Sequence, residues 1–230
     1  VALSEEMQKH LAAVPDIGPQ PLLPPHPAPD AIPRLMAMLE KAEKPLAILG
    51  GSCWTAAGRA AIRDFLVGND IPVAVSFRRQ GLFDGTSAHY AGDLGVGADA
   101  GLVAKAREAD LILAIGTRLG EPVSQGYTLF DMAGAKPIVH VHPEQAEIGR
   151  VHRAALGIVA EVNAFAHAAA AAPRIASPRW SGWRAACRAA REAQAKAPAY
   201  EGKLNLAVAL QELEKVLPAD TIFTSDAGNF

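Results

Sequence analysis

The sequence predicts an α/β protein whose core is a doubly wound parallel sheet. Residues 46–49 are four consecutive apolar residues, which is typical of a strand buried on both faces. Gly50 and Gly51 follow this run directly. Either Ser52 or Thr55 is suited to cap the helical pattern that comes next. Strands and helices then alternate, as they do where crossovers wrap a parallel sheet, and the carboxyl edge of that sheet is the expected ligand side.

Apolar runs, capping residues and helix breakers assign the elements in chain order. Asp30 is suited to cap the second helix, and Pro33 is tolerated in its first turn. The predicted helices cover residues 5–13, 30–39, 55–68, 99–109, 143–151, 161–171, 180–196 and 204–217. The predicted strands cover residues 46–49, 73–76, 111–115, 138–142, 155–158 and 221–224.

Composition narrows the class of protein. The 230 residues are enough for one well-buried core with appended segments. The net charge of −2 gives no reason to expect nucleic acid or a membrane surface as a partner. Cys53 and Cys187 lie far apart and have neither metal-binding nor redox spacing. The first ten residues lack the apolar core of a signal peptide, so the sequence predicts a cytoplasmic protein.

The turn at Gly50 and Gly51 has two interpretations. Glycines let a backbone approach a ligand, and the free N–H groups at the start of the following helix favour phosphate. The glycines at 50, 51 and 58 do not spell G-x-G-x-x-G, however, and many doubly wound folds use such a turn for packing alone. The sequence leaves both interpretations open.

A second candidate group follows the strand at residues 111–115. Gly116 permits a tight exit from the strand, Thr117 offers a hydroxyl and Arg118 offers a planar cation. An arginine just beyond the carboxyl end of a strand suits a phosphate group or an adenine ring. It can equally pair with an acid, either Asp110, Glu121 or one from another domain. These two interpretations also stay open.

The segment 77–97 is predicted as a long loop without its own elements, which favours a functional role. Arg78 and Arg79 could meet an anionic substrate or a nucleotide phosphate. His89 and Tyr90 fit ordinary loop packing equally well, because nothing nearby in the sequence supplies an acid–base partner.

The two ends of the chain predict a middle section of a larger protein. Residues 18–33 are rich in proline and form an extended connector. Trp180 and Trp183 share one face of a helix and are interpreted as anchors that dock it on a neighbouring domain. The strand at 221–224 cannot bury both faces alone, so it is expected to join another sheet.

Four segments stand in an order that carries a resemblance. They are Ile-Leu-Gly-Gly at 48–51, Ala-Asp-Leu-Ile-Leu-Ala-Ile-Gly-Thr-Arg-Leu at 109–119, Pro-Glu-Gln-Ala-Glu-Ile-Gly-Arg at 143–150, and Thr-Ser-Asp-Ala-Gly-Asn at 224–229. Their order and spacing resemble the thiamine-diphosphate-dependent enzymes of the acetolactate synthase and pyruvate oxidase type. The segment at 109–119 is the most specific of the four.

The resemblance implies a division of the chain. The parts are the end of a pyrimidine-binding domain at 1–17, the connector at 18–33, a Rossmann-like central domain at 34–172, a helical linker with a docking helix at 173–202, and the start of a diphosphate-binding domain at 203–230. The strand at 221–224 then belongs to this second α/β domain.

The resemblance also implies a carboligase or decarboxylase that acts on a 2-keto acid with thiamine diphosphate and Mg²⁺. In this family the cofactor serves as the electron sink. The activating glutamate and the magnesium motif of the family match no residue of this chain, so the resemblance assigns it no catalytic residue and no metal ligand. Gly228 and Asn229 correspond to residues near the diphosphate. The family's active sites form between subunits, which predicts a homodimer or homotetramer.

Some relatives hold flavin or ADP in the central domain. Their nucleotide contacts come from positions that correspond here to Gly50, Gly51, Gly116, Thr117 and Arg118. His140 and His142 stand where those relatives carry aspartates, so a carboxylate for ribose hydroxyls is expected to be missing, which counts against FAD. Two alternatives stay open: an FAD- or NAD-binding module of an oxidoreductase, and a purely structural scaffold.

Overall fold

The computed structural model describes residues 2, 4–21, 23–130, 136–196, 199, 202–218, 220–222 and 224. Six of its segments are strands: β1 (Pro45–Leu49), β2 (Val73–Ser76), β3 (Tyr90–Leu94), β4 (Leu111–Ile115), β5 (Ile138–His142) and β6 (Leu156–Val159). The α-helices are α1 (Glu5–Gln8), α2 (Ala31–Leu39), α3 (Ala56–Gly68), α4 (Ala100–Glu108), α5 (Val162–Ala170), α6 (Ser181–Gln194) and α7 (Leu206–Val216). Short 3-10 helices cover Gln80–Leu82 and Gln145–Glu147.

The six strands form one parallel sheet in the order β3-β2-β1-β4-β5-β6. The chain therefore winds outward from β1 to β3, returns to the middle, and winds outward again from β4 to β6. This is the predicted doubly wound sheet, and the prediction is confirmed. The reversal lies between β1 and β4, and in such sheets the crevice at that reversal is the usual ligand site.

The burial pattern of each strand matches its place in the sheet, central or at the edge. Every residue of β1, β2, β4 and β5 is buried, as expected for central strands of a parallel sheet covered on both faces. The edge strand β6 alternates between buried and exposed residues. The predicted bounds of the strands at 73–76, 111–115 and 138–142 agree with the structure. Their high content of apolar residues made these three strands predictable.

The strand β3 corrects the sequence analysis, which treated residues 77–97 as a loop without elements. Tyr90–Leu94 includes Gly92 and Asp93, residue types that are depleted in strands. The strand forms because β2 offers it a parallel ladder, although the register shifts between Val73 and Ala74. Tertiary pairing therefore outweighs local propensity here.

Side chains cap the helices of the sheet domain. Thr55 caps α3, since its hydroxyl accepts from the backbone N–H of Gly58 at 3.0 Å. Asp99 caps α4 in the same way, accepting from the N–H of Gly101 at 2.9 Å. The first helix is shorter than predicted, and the helix predicted at 143–151 is only the 3-10 helix Gln145–Glu147.

The two tryptophans do anchor their helix, and the surface that they bury is the sheet domain itself. Trp180 is 1% exposed, and its indole N–H donates to the carbonyl oxygen of Asn69 at 3.0 Å. The indole N–H of Trp183 donates to the carbonyl oxygen of Pro45 at 2.9 Å. α6 packs against β3 and α4. It therefore belongs to the same packed unit as the sheet.

The segments after α6 extend beyond this unit. The apolar residues of α7 are largely exposed, Leu210 by 61%. Within the predicted strand at 221–224, Thr221, Ile222 and Thr224 lie outside any helix or strand, and residue 223 lies outside the described residues. Both cysteines are free thiols. Among the described residues, none of the helices has the length and apolar character needed to cross a membrane.

Replacement of Trp180 by alanine tests the packing of α6. Because the ring is fully buried and its N–H is hydrogen-bonded, we expect Trp180→Ala to lower the free energy of unfolding of this domain by about 3–5 kcal/mol. Denaturant unfolding followed by circular dichroism measures the change. Trp180→Phe is the matched control, which keeps a ring and loses the bond to Asn69, so it should cost less. A Trp180→Ala protein as stable as the wild type would mean that α6 is only a linker.

Candidate functional site

A cleft of about 890 Å³ lies at the carboxyl edge of the sheet. The turns after β1, β2, β4 and β5 and the start of α5 form its walls, so it lies at the reversal of strand order. This is the position at which the sequence predicted the loops to converge. Among the residues lining it are Gly51, Ser52, Cys53, Arg79, Gly116, Thr117, Arg118, His142, Glu144 and Glu161.

The glycines predicted for ligand binding bring two turns into backbone contact. Gly51 has a φ of +77°, and a Cβ on it would collide with the carbonyl oxygen of Gly116. Gly116 has a φ of +73°, and a Cβ there would lie 2.6 Å from the carbonyl oxygen of Gly50. A Cβ on Gly50 would in turn lie 2.7 Å from the Cβ of Thr117. The geometry supports the packing interpretation of the glycine turn, because the turns after β1 and β4 leave no room for side chains.

Asn163 of α5 covers the start of α3. Its side-chain oxygen accepts from the backbone N–H of Thr55 at 2.9 Å, and its amide nitrogen donates to the carbonyl oxygen of Cys53 at 2.9 Å. A Cβ on Gly58 would collide with the same side-chain oxygen. An amide oxygen of the protein therefore stands where a helix N-terminus would otherwise receive a phosphate oxygen. The sequence analysis missed Asn163, since 108 residues separate it from Thr55.

Thr117 and Arg118 differ in their availability to a ligand. Thr117 is 4% exposed, and its hydroxyl accepts from the N–H of Leu119 at 3.3 Å, so it holds its own turn. The side chain of Arg118 is 71% exposed, and its Nε lies 3.7 Å from a carboxylate oxygen of Glu147. The predicted pairing with an acid is found, but the partner is Glu147 rather than Asp110 or Glu121. The contact is long and its arginine is exposed, so the pair is weak and the guanidinium stays accessible from the cleft.

The predicted alternative partner Asp110 has another role. Its carboxylate accepts from the backbone N–H of Glu43 at 2.7 Å and from that of Lys44 at 2.9 Å, just before β1. It therefore fixes the entry of the chain into the sheet, at the edge opposite the cleft.

The carboxylates of the cleft come from beyond β5 rather than from the strand itself. Glu144 lines the cleft two residues beyond His142, and Glu161 lines it from the start of α5. Both carboxylates also serve their own elements, because Glu144 accepts from the N–H of Ala146 at 3.3 Å and Glu161 from that of Asn163 at 2.9 Å.

The two histidines of β5 are bound to backbone. The Nε2 of His140 donates to the carbonyl oxygen of Thr117 at 2.8 Å, and Nδ1 of His142 accepts from the N–H of Glu144 at 3.0 Å. Burial lowers the pKa of His140, although the bond to the Thr117 carbonyl acts in the other direction. His140 is therefore a neutral imidazole at pH 7.

Of the candidate site residues in the segment 77–97, one lines the cleft and the others pack within the domain. Arg79 lines the cleft, whereas the guanidinium of Arg78 lies 5.0 Å from the ring centre of Phe77. The Nε2 of His89 lies 3.0 Å from Asp70, and burial lowers the pKa of His89 in spite of that carboxylate. Burial also raises the pKa of Tyr90, which is 5% exposed in β3. His89 and Tyr90 are thus structural residues.

Gly228 and Asn229, the expected diphosphate contacts, lie outside the described residues. Within the described part of the chain, no group of three or more His, Cys, Asp or Glu side chains is arranged to hold a metal ion.

Comparison with known proteins identifies the class. Residues 32–169 match the family model described as thiamine pyrophosphate enzyme, central domain. The chain belongs to this family, and the resemblance drawn from the sequence is confirmed.

Several curated relatives are similar over longer segments. The chain is 25% identical to the acetolactate synthase isozyme 2 large subunit of Escherichia coli K12 over 193 residues, 83% of the chain and 34% of that protein. It is 26% identical to the acetolactate synthase large subunit of Parasynechococcus marenigrum over 155 residues, 66% of the chain and 25% of that protein. It is 26% identical to the sulfoacetaldehyde acetyltransferase of Rhodobacter capsulatus over 249 aligned positions, 92% of the chain and 40% of that protein. The chain thus spans about a third of the length of these relatives.

Replacement of Gly116 by alanine tests the contact between the two turns. We expect Gly116→Ala to lower the free energy of unfolding by at least about 2 kcal/mol, because φ is positive and the added methyl meets backbone. Thermal and denaturant unfolding measure the loss. Gly120→Ala is the matched control, since nothing lies within 4 Å of a Cβ at Gly120, and it should be nearly neutral. Equal stabilities of the two variants would contradict the packing role.

Proposed function

We propose that this chain is the central section of a thiamine-diphosphate-dependent enzyme of the acetolactate synthase type, which decarboxylates a 2-keto acid and transfers or releases the remaining fragment. The observation that carries the proposal is the family match over residues 32–169, which includes every strand of the sheet. The relatives named acetolactate synthase support carboligation as the outcome. The relative named sulfoacetaldehyde acetyltransferase supports the same cofactor class with a different substrate.

We further propose that the section serves as a scaffold and supplies no catalytic group. Thiamine diphosphate, when bound with Mg²⁺, supplies the electron sink for decarboxylation. The polar groups of the described cleft are largely engaged by the protein: Thr117 holds its turn, Glu161 caps α5, and Asn163 covers α3. Cys53 has the hydroxyl of Ser52 as its polar neighbour, at 3.7 Å, and no general base is placed beside it among the described residues.

Two further assignments belong to the same proposal. Gly228 and Asn229 contact the diphosphate, as the resemblance implies, and the enzyme is a homodimer or homotetramer with active sites between subunits. Both rest on the family and on no contact described here.

Decarboxylation assays on the intact protein test this function. With thiamine diphosphate and Mg²⁺, we expect carbon dioxide release from at least one member of a panel of 2-keto acids. Absence of release from the whole panel would reject the proposal. Turnover of sulfoacetaldehyde without release of carbon dioxide would place the enzyme with the second type of relative.

The scaffold assignment needs its own variants. His142→Asn and Glu144→Gln remove the imidazole and a carboxylate that face the cleft. We expect neither to show the roughly 10²- to 10⁴-fold loss in kcat that follows removal of a general acid or base. A loss of that size with unchanged affinity for thiamine diphosphate would make the cleft catalytic.

A nucleotide site in the cleft is the second candidate function. The cleft lies at the reversal of strand order, holds about 890 Å³, and presents Arg79, Arg118 and Glu144. Asn163 at the start of α3 counts against it, because its side-chain oxygen already accepts from the N–H of Thr55. We expect the purified protein to release no equivalent of FAD, NAD or ADP on denaturation, as measured by chromatography. One equivalent of FAD or NAD per chain would instead favour the oxidoreductase alternative.

A further inference from the structure

Three buried histidines lie in β5 and in the segment that connects it to β6, beside the cleft. His140 and His152 are each 2% exposed, and His142 is 8% exposed. The rings of His140 and His142 have centres 6.3 Å apart. The segment from β5 to β6 contains His152, the cleft residue Glu144 and the 3-10 helix Gln145–Glu147. We refer to residues 143–154 as the wall segment.

His140 links the wall segment to the turn after β4 in its neutral form. Its Nε2 donates to the carbonyl oxygen of Thr117 at 2.8 Å, which leaves Nδ1 as the acceptor nitrogen. The N–H of Gly149 points at this Nδ1 over 3.5 Å. A second proton on the ring would set two N–H groups against each other, so protonated His140 is incompatible with this contact.

His152 brings the same incompatibility to the far end of the segment. At the near end, Nδ1 of His142 lies 3.0 Å from the backbone nitrogen and 3.2 Å from the carbonyl oxygen of Glu144. Both ring nitrogens of His152 are buried and lack a hydrogen-bond partner in the described part of the chain. The ring of His152 meets Phe130 edge-on, with ring centres 5.6 Å apart. A charge on His152 would therefore be buried without compensation.

The charges around these rings are few. Glu147 is the nearest acid to His140, but its carboxylate is shared by Arg150 at 3.0 Å and Arg118 at 3.7 Å. Glu144 adjoins His142 in the chain, and the flanking strands β4 and β6 contain only apolar residues and glycine. Charging one histidine also opposes charging the others, since His142 and His152 both lower the pKa of His140.

We propose that the wall segment is an acid-sensitive latch, which proton uptake by His140 and His152 releases from the contact between Gly149 and the His140 ring and from Phe130, so that the cleft opens. Burial holds the pKa of both histidines below the ordinary 6.5 while the latch is closed. The released state therefore binds protons more tightly than the closed one. The closed state is fully favoured above about pH 6.5 and is progressively lost as the pH falls below that value.

Hydrogen–deuterium exchange on the intact protein tests the latch. Protection of the wall segment, corrected for intrinsic exchange rates, is measured between pH 7.5 and 5. We expect it to fall by up to about tenfold per pH unit for each proton taken up, while β1 stays protected. In the double variant His140→Gln/His152→Leu this fall should disappear, because glutamine can donate to the Thr117 carbonyl without titrating. The exposed His167 provides the control His167→Gln, which should keep the full response.

The contrary outcomes are distinct. Unchanged protection of the wild-type wall segment at pH 5, an equal fall in the double variant, or an equal fall in β1 would each overturn the proposal. If the double variant fails to fold, the pH titration of the imidazole NMR signals of the wild type tests the proposal instead. Titration of His140 and His152 at the same pH as the exposed His10 and His26, without loss of protection, would also overturn it.

Discussion

The backbone contact between the turns after β1 and β4 is the constraint on which the cleft depends. A Cβ on Gly51 or on Gly116 would collide with the backbone of the other turn. Both glycines also have positive φ values, +77° and +73°. Main-chain bonds reinforce the contact, because the N–H of Gly50 donates to the carbonyl of Ile115 at 2.9 Å. At the reversal of strand order, the turns after β1 and β4 are thus in direct contact, and they form the floor of the cleft.

This closure explains why the domain has the outline of a nucleotide-binding fold without its phosphate cradle. A phosphate site at the first turn needs free N–H groups at the start of α3. Asn163 takes one of these, the N–H of Thr55, and donates to the carbonyl oxygen of Cys53 beside it. At the opposite edge of the sheet, Trp180 and Trp183 bind the backbone of Asn69 and Pro45. Both edges are therefore stabilised by contacts within the chain, which suits a section whose proposed role is to support catalytic domains.

The sequence predicted those parts of the fold that local composition determines. The central strands consist mainly of apolar residues, and β2, β4 and β5 were placed at their observed bounds. β3 escaped prediction because Gly92 and Asp93 disfavour a strand and only its pairing with β2 makes one. Both tryptophans were recognised as anchors from their spacing, since such spacing places two side chains on one helix face.

The site was less predictable, because its contacts join distant residues. The position of the cleft followed from topology alone. The partner of Arg118, the placement of Glu144 and the capping role of Asn163 depend on how turns from different parts of the chain meet. No local pattern marks Asn163, which lies 108 residues beyond Thr55. The sequence could therefore name the glycines but could not decide between packing and binding.

A crystal structure of the intact protein grown with a high concentration of ADP tests this account most directly, at the start of α3. The account predicts that the Asn163 oxygen remains bonded to the N–H of Thr55 and that Gly51 stays in contact with Gly116. A phosphate oxygen bonded to that N–H, with the Asn163 side chain turned away, would contradict it.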